Sequence, residues 1–313
     1  MNVRIYPAIH PLEESSLKYT GTVYRPPLEA DSLILQVTIG CSHNKCSFCT
    51  MYRDTPFQME SIAQIEQDLD EASAYAPYFD RVFLVGGDPF ALSASRLTEI
   101  AERIHQKLPG VKTIATYASI RNIRTKTDDE LCRLQELGYN DLNIGVESGY
   151  DPALKYMNKG YTAKEAEKEL LRLRKAGIDF CMNVIFGAAG SGLRRENALA
   201  TAELINKTQP AIILTTNLHA DPGCPLYDDL QSGAFTENSV ADYLDEMEIL
   251  TEHLELENSR YFGLHTSNIV PMDAHLPRDK ALMLREIRSS RQRFSKETLA
   301  SHPRRFSEGA VQL

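Results

Sequence analysis

The run Leu35-Gln36-Val37-Thr38-Ile39-Gly40-Cys41-Ser42-His43-Asn44-Lys45-Cys46-Ser47-Phe48-Cys49-Thr50-Met51-Tyr52 decides how the chain is read. An apolar, β-branched strand ends at a glycine, and three of the six cysteines follow within nine residues. Thiols this close make poor structural disulfides, and three is an odd number. Soft thiolates on one tight loop point to a metal site, either zinc or an iron–sulfur cluster. The spacing Cys-x4-Cys-x2-Cys leaves one coordination position without a cysteine. His43 could close a structural zinc site, whereas a [4Fe–4S] cluster would keep one iron open.

Working outward, residues 32–39 form the strand that delivers Cys41. Further strands are expected at 81–85, 112–118, 141–146, 179–186 and 211–217. Helices are expected between them at 61–75, 95–108, 128–137, 162–176 and 194–207. The helix at 162–176 is the most strongly signalled: Thr162 caps it, Glu165 completes a capping box and Gly177 ends it. Six β-α units in this order predict parallel strands with right-handed crossovers. Six fall short of a closed eight-stranded barrel, so the fold class is α/β, a partial (β/α)6 barrel at residues 32–217. Residues 1–31, with the break Arg25-Pro26-Pro27, read as an N-terminal extended arm. The rhythm fails after Asn217. Residues 218–294 are expected to form a small α/β extension covering the barrel, with helices near 239–254 and 277–294 and a strand near 260–264. Residues 295–313 read as a polar, partly disordered tail.

The 313 residues carry 34 basic and 43 acidic side chains, a net charge of −9. Such a chain is not built to grip nucleic acid over its whole surface. No apolar run approaches a membrane span, and Met1 to Pro7 lacks a signal-peptide core, so a reducing cytoplasm is the expected location. Cys132, Cys181 and Cys224 are scattered and read as small buried hydrophobes. Cys224 could alternatively donate a hydrogen atom to a radical.

In parallel α/β folds, function collects at the C-terminal ends of strands. Those ends carry the cysteine loop, Gly86-Gly87-Asp88, Ser119 with Arg121, Glu147-Ser148-Gly149, and Gly187 with its glycine-rich follow-on; Asn183 lies within its strand and faces into the barrel or away from it by register. A structural zinc site predicts nothing about the other strand ends. An open iron predicts a small chelating molecule held by glycines and acids.

With these motifs in place, the chain resembles the radical SAM superfamily over residues 32–217. It resembles a stand-alone group near the coproporphyrinogen dehydrogenase, methylthiotransferase and Elongator-catalytic-subunit type branches. Phe48 holds the aromatic position before the third cysteine. The resemblance implies that Cys41, Cys46 and Cys49 ligate a [4Fe–4S] cluster. It implies that Gly86-Gly87-Asp88-Pro89 receives the amino group of S-adenosylmethionine. Asn143-Ile144-Gly145-Val146-Glu147-Ser148-Gly149 resembles a fourth-strand motif whose acid, here Glu147, lies near the ribose or methionine end. Val184-Ile185-Phe186-Gly187 resembles the fifth-strand segment that meets adenine. Ser119, Arg121 and Asn183 complete the implied cofactor set. The departure from the usual Cys-x3-Cys-x2-Cys loop is one extra residue between Cys41 and Cys46. Tyr24-Arg25-Pro26-Pro27, the cysteine loop with Thr50-Met51-Tyr52, His265-Thr266-Ser267-Asn268 and Leu276-Pro277-Arg278-Asp279-Lys280 are similar to a group of stand-alone radical SAM proteins.

The implied activity is reductive cleavage of S-adenosylmethionine to a 5′-deoxyadenosyl radical, which takes hydrogen from an unidentified organic substrate. The alternatives are a non-catalytic iron–sulfur or haem-carrying chaperone, and a tRNA-modifying enzyme. The implied partners are a small-molecule substrate and an electron donor such as flavodoxin or ferredoxin. No membrane or nucleic-acid partner is expected, and the oligomeric state stays open. The substrate-pocket candidates are His219, Tyr227, His265 and Asn268, with Asp221 beside them.

Overall fold

Alternating strands and helices build the chain in the computed structural model, which describes residues 17–303. Leading with the cysteine-loop strand, the order is β1 (Leu33–Gln36), β2 (Thr38–Ile39), β3 (Gln58–Met59), α1 (Ile62–Ser73), β4 (Arg81–Val85), α2 (Ala94–Lys107) and β5 (Thr113–Ala118). There follow α3 (Ile120–Arg124), α4 (Asp128–Glu136), β6 (Asp141–Glu147), α5 (Asp151–Tyr156), α6 (Ala163–Lys175), β7 (Asp179–Phe186), α7 (Arg194–Thr208) and β8 (Ile212–Asn217). The C-terminal part adds α8 (Pro225–Ser232), α9 (Val240–His253), β9 (Ser259–Phe262), β10 (Asp273–Leu276), α10 (Lys280–Arg293) and α11 (Lys296–Ala300).

One sheet runs β1-β4-β5-β6-β7-β8-β9-β10. It is parallel from β1 through β9, and β10 pairs antiparallel to β9. The six expected barrel strands are therefore present in chain order, as an open α/β barrel. The helices pack through stripes at helical spacing: on α2, Leu97, Ile100, Ala101 and Ile104 are all buried. Burial of each Leu or Ile contributes roughly 1.5–3 kcal/mol. Capping boxes start α4 (Thr127 with Glu130), α6 (Thr162 with Glu165) and α9 (Ser239 with Asp242).

Three expectations need correction. The strand at 32–39 is broken after Gln36: Thr38–Ile39 swings out to pair with Gln58–Met59, a hairpin too short to show a period. The C-terminal extension continues the sheet, because β9 pairs with β8 at Ile212 to Leu214. Its partner β10 is Asp-Ala-His-Leu, four residues without β-branched side chains. Residues 296–300, expected in a polar tail, form α11; Ser295 caps it, and the Ser301 carbonyl accepts from Val240 N–H at 2.8 Å. Residues 1–16 of the arm and 304–313 of the tail lie outside the described residues. The arm's described part lies on β1, where the Gln36 side chain pairs with both backbone groups of Thr20. Among the described residues no helix is long and apolar enough to cross a membrane.

A buried carboxyl ties the extension to the barrel. Glu246 of α9 accepts from the Gly187 N–H at 2.8 Å, Asn197 Nδ2 at 2.6 Å and Asn238 Nδ2 at 2.8 Å. Burial outweighs these donors and pushes the carboxyl from 4.5 up to about 7. Between those values the folded chain holds a proton that the unfolded chain has released, so stability falls as pH rises through the window. Glu246→Gln removes this titration. Thermal melts from about pH 5 to about pH 8 should show the wild-type melting temperature declining relative to the variant, by at most about 3 kcal/mol of stability across the window.

Candidate functional site

Cys41, Cys46 and Cys49 line one cavity of about 340 Å³ at the C-terminal ends of the strands. The extra residue of the loop is taken up at Asn44. Its φ of 43° is a left-handed turn that Asn tolerates, and its Nδ2 donates to the Tyr52 carbonyl at 2.6 Å. The far side is clamped by the turn after α5. Ser47 N–H donates to the Met157 carbonyl at 3.1 Å, Ser47 Oγ to Tyr156 at 2.9 Å, and Asn158 Nδ2 to Lys45 at 2.8 Å.

His43 does not face a metal. Its Nε2 pairs with the Asn158 carbonyl at 2.6 Å and its Nδ1 with Arg121, an arrangement that assigns the proton to Nε2. Burial, with Arg121 adding to it, lowers the imidazole's affinity for a second proton. Both nitrogens are engaged by protein groups, so His43 is not free to close a structural zinc site. Among the described residues no three His, Cys, Asp or Glu side chains converge tightly enough for one metal ion. In an iron–sulfur cluster each cysteine binds a different iron, so its ligands stand further apart than those of a single ion. Burial pushes all three thiols up, Cys49 to about 11. Metal ligation takes these thiols as thiolates.

The glycine turn after β4 is pressed onto the base of this loop. A Cβ on Gly86 would stand 1.5 Å from the Thr38 carbonyl oxygen, and one on Gly87 2.4 Å from that of Gly40. Both glycines have positive φ, 113° and 93°. The turn delivers Asp88, 4% exposed, into the cavity. Ser42 Oγ and Asn122 Nδ2 donate to Asp88 Oδ2, while burial pushes the carboxyl up.

Across the cavity, β6 slips register against β7 between Gly145 and Glu147. Glu147 has φ 72°, strained for a residue with a side chain. Its Oε1 accepts from Lys159 Nζ at 3.0 Å, and both side chains are nearly buried. Burial alone would lower Lys159, but Glu147 overrides it and holds the ammonium well above its ordinary value.

The cavity thus brings together Cys41, Cys46, Cys49, Gly87, Asp88, Ser119, Arg121, Glu147 and Asn183. Asn183 Nδ2 donates to Asn143 Oδ1 at 2.8 Å, and Ser119 caps α3. Gly86, Phe48 and Gly187 do not line it. Gly86 packs on Thr38, Phe48 lies 5.9 Å under Lys159 Nζ, and the Gly187 amide is used by Glu246. His219, Tyr227, His265 and Asn268 do not line it either. His219 Nε2 pairs with Asp221 Oδ1 at 2.7 Å, His265 with Ser267, and Asn268 Nδ2 with the Thr215 and Gly263 carbonyls. Tyr227 belongs to α8, beside the buried Cys224. Burial, then the charge of Cys49 and then that of Asp221, raises the phenol of Tyr24 on the cavity wall. Sequence reasoning missed Lys159 and Tyr161 on the wall, and it gave Tyr24 and Tyr52, which lie in resembling stretches, no place there. For Lys159 no pattern marks it, because it sits in a turn between two helices.

Residues 35–205, more than half of the chain, match the sequence pattern of the Radical SAM superfamily. The chain is 23% identical over 199 residues to the heme chaperone HemW of Bacillus subtilis (strain 168), covering 62% of this chain and 52% of that one. It thus spans about half the length of the curated relatives it matches. Its fold is similar to that of the radical S-adenosylmethionine methyltransferase TsrM from Kitasatospora setae (TM-score 0.53, 19% identity, 64% of this chain and 39% of that one). It is also similar to that of methylornithine synthase, PylB (TM-score 0.50, 15% identity, 82% and 68%).

Removing one partner of the Lys159–Glu147 pair strands a buried charge. Lys159→Met should cost about 3–5 kcal/mol in urea unfolding. Lys159→Met with Glu147→Gln should recover part of that loss; additive losses would show that the pair is not coupled.

Proposed function

The chain belongs to the radical SAM superfamily, and on that premise we propose that it is an enzyme holding a [4Fe–4S] cluster on Cys41, Cys46 and Cys49 with S-adenosylmethionine in the adjoining cavity. The observation that carries this reading is the convergence of three thiols and the buried Asp88 and Glu147 on one cavity while His43 is turned away. When bound, the reduced cluster and S-adenosylmethionine supply one-electron cleavage of the sulfonium and hydrogen abstraction by a 5′-deoxyadenosyl radical.

The chain's own residues position and shield. Asp88 is placed to accept hydrogen bonds from an ammonium, and Ser42 and Asn122 hold its carboxylate still. The Glu147 carboxylate, fixed by Lys159, is placed to accept from sugar hydroxyls. Tyr24, Tyr52, Tyr117 and Tyr161 line the cavity with aromatic surface. The substrate is a small organic molecule reaching the mouth beside the His219–Asp221 turn, and the electron comes from a flavodoxin- or ferredoxin-type donor. The setting is the reducing cytoplasm.

The likeness to HemW favours a second reading, an iron–sulfur protein that carries haem without chemistry on a substrate. Anaerobically reconstituted, reduced protein incubated with S-adenosylmethionine separates the two. The enzyme reading expects 5′-deoxyadenosine, abolished in Cys46→Ala along with the cluster's visible absorption. Asp88→Asn should weaken cofactor binding at least about tenfold, from the loss of a charge-assisted hydrogen bond. An intact cluster with no 5′-deoxyadenosine favours the carrier, and zinc without iron sinks both.

A further inference from the structure

Tyr52 stands three residues after Cys49, in the stretch Thr50-Met51-Tyr52 whose resemblance implies no role for it. It is 9% exposed and forms part of the wall of the cysteine-lined cavity. Its position is fixed from several sides. Its backbone carbonyl accepts from Asn44 Nδ2 at 2.6 Å and from Thr55 N–H at 3.0 Å. Its ring meets Tyr24 edge to face, with centroids 5.4 Å apart, and lies so close over Gly87 that a Cβ there would stand 2.9 Å from Cε2. The hydroxyl at the end of this fixed ring is buried and has no hydrogen-bond partner among the described residues. Asn217, Asn238 and Asn268 also carry buried atoms without partners, but none of them lines this cavity.

A buried hydroxyl without a partner has a desolvation cost that a hydrogen bond offsets. The groups that face this phenol are the phenol of Tyr24 and the thiols of Cys41 and Cys49, and none of them takes its hydroxyl as a hydrogen-bond partner. We propose that the Tyr52 hydroxyl donates a hydrogen bond to an oxygen or nitrogen acceptor of S-adenosylmethionine, an assignment that rests on the cofactor reading above. The loop that presents the three thiols then also contacts the small molecule directly, three residues beyond its last cysteine.

Two properties follow together, and a structural role for the hydroxyl would not produce both. Tyr52→Phe keeps the ring and removes only the hydroxyl. In the ligand-free protein it should leave the melting temperature unchanged or raise it, because a buried polar atom without a partner is gone. In the reconstituted holoprotein, equilibrium dialysis with S-adenosylmethionine, normalised to iron, should show a dissociation constant roughly three- to tenfold higher than wild type. An unchanged dissociation constant, a lowered melting temperature or loss of the cluster would each overturn the assignment. If reconstituted wild type binds no S-adenosylmethionine, the cofactor reading fails and the assignment falls with it.

Discussion

Backbone touching backbone is the constraint on which the site depends. The carbonyls of Thr38 and Gly40 lie against Gly86 and Gly87 so closely that neither position has room for a side chain. This contact explains why β1 cannot run straight to Gly40. The chain leaves the sheet after Gln36, pairs briefly with Gln58–Met59, and returns as the cysteine loop directly over the β4 turn. The loop that holds the thiols and the turn that holds Asp88 are therefore one packed unit, closed by the Ser42–Asp88 hydrogen bond. The glycines do not merely permit a ligand to approach; they set the distance between two loops.

The opposite wall is held by strain and buried charge. Glu147 keeps a left-handed backbone at a register slip, a conformation that costs about 1–3 kcal/mol and persists only where its surroundings over-determine it. Those surroundings are visible. Lys159 takes the carboxylate, and the next residue, Ser148, donates to Asn197 at 2.6 Å. Asn197 in turn donates to Glu246, which also holds the amide of Gly187. A chain of buried polar contacts thus runs from the site wall through α7 to α9, so the C-terminal extension supports the strand ends as well as lengthening the sheet.

Most of the fold was legible because its signals are local and periodic. Six strands alternating with five helices, and capping boxes such as Thr162 with Glu165, need only neighbouring residues to be read. The cysteine loop and Gly86-Gly87-Asp88 were legible as motifs at strand ends. What escaped depends on contacts distant in sequence. Lys159 matters because it meets Glu147, Tyr52 because Gly87 and Tyr24 enclose it, and Glu246 because α9 packs on the end of β7. The four substrate candidates of the extension rested on position alone, and their side chains are engaged in contacts away from the cavity wall or packed in α8. Gly187 drew attention as a strand-end glycine; its amide proved to belong to the helix interface.

The central claim is that the three-cysteine loop leaves an iron open for a small molecule held by the neighbouring turn. Electron paramagnetic resonance of the anaerobically reconstituted, reduced protein tests it most directly. The account predicts a reduced [4Fe–4S] signal whose line shape changes when S-adenosylmethionine is added, and which keeps its original shape in Asp88→Asn at the same cofactor concentration. A cluster signal indifferent to S-adenosylmethionine in the wild-type protein, or no cluster signal at all, would contradict it.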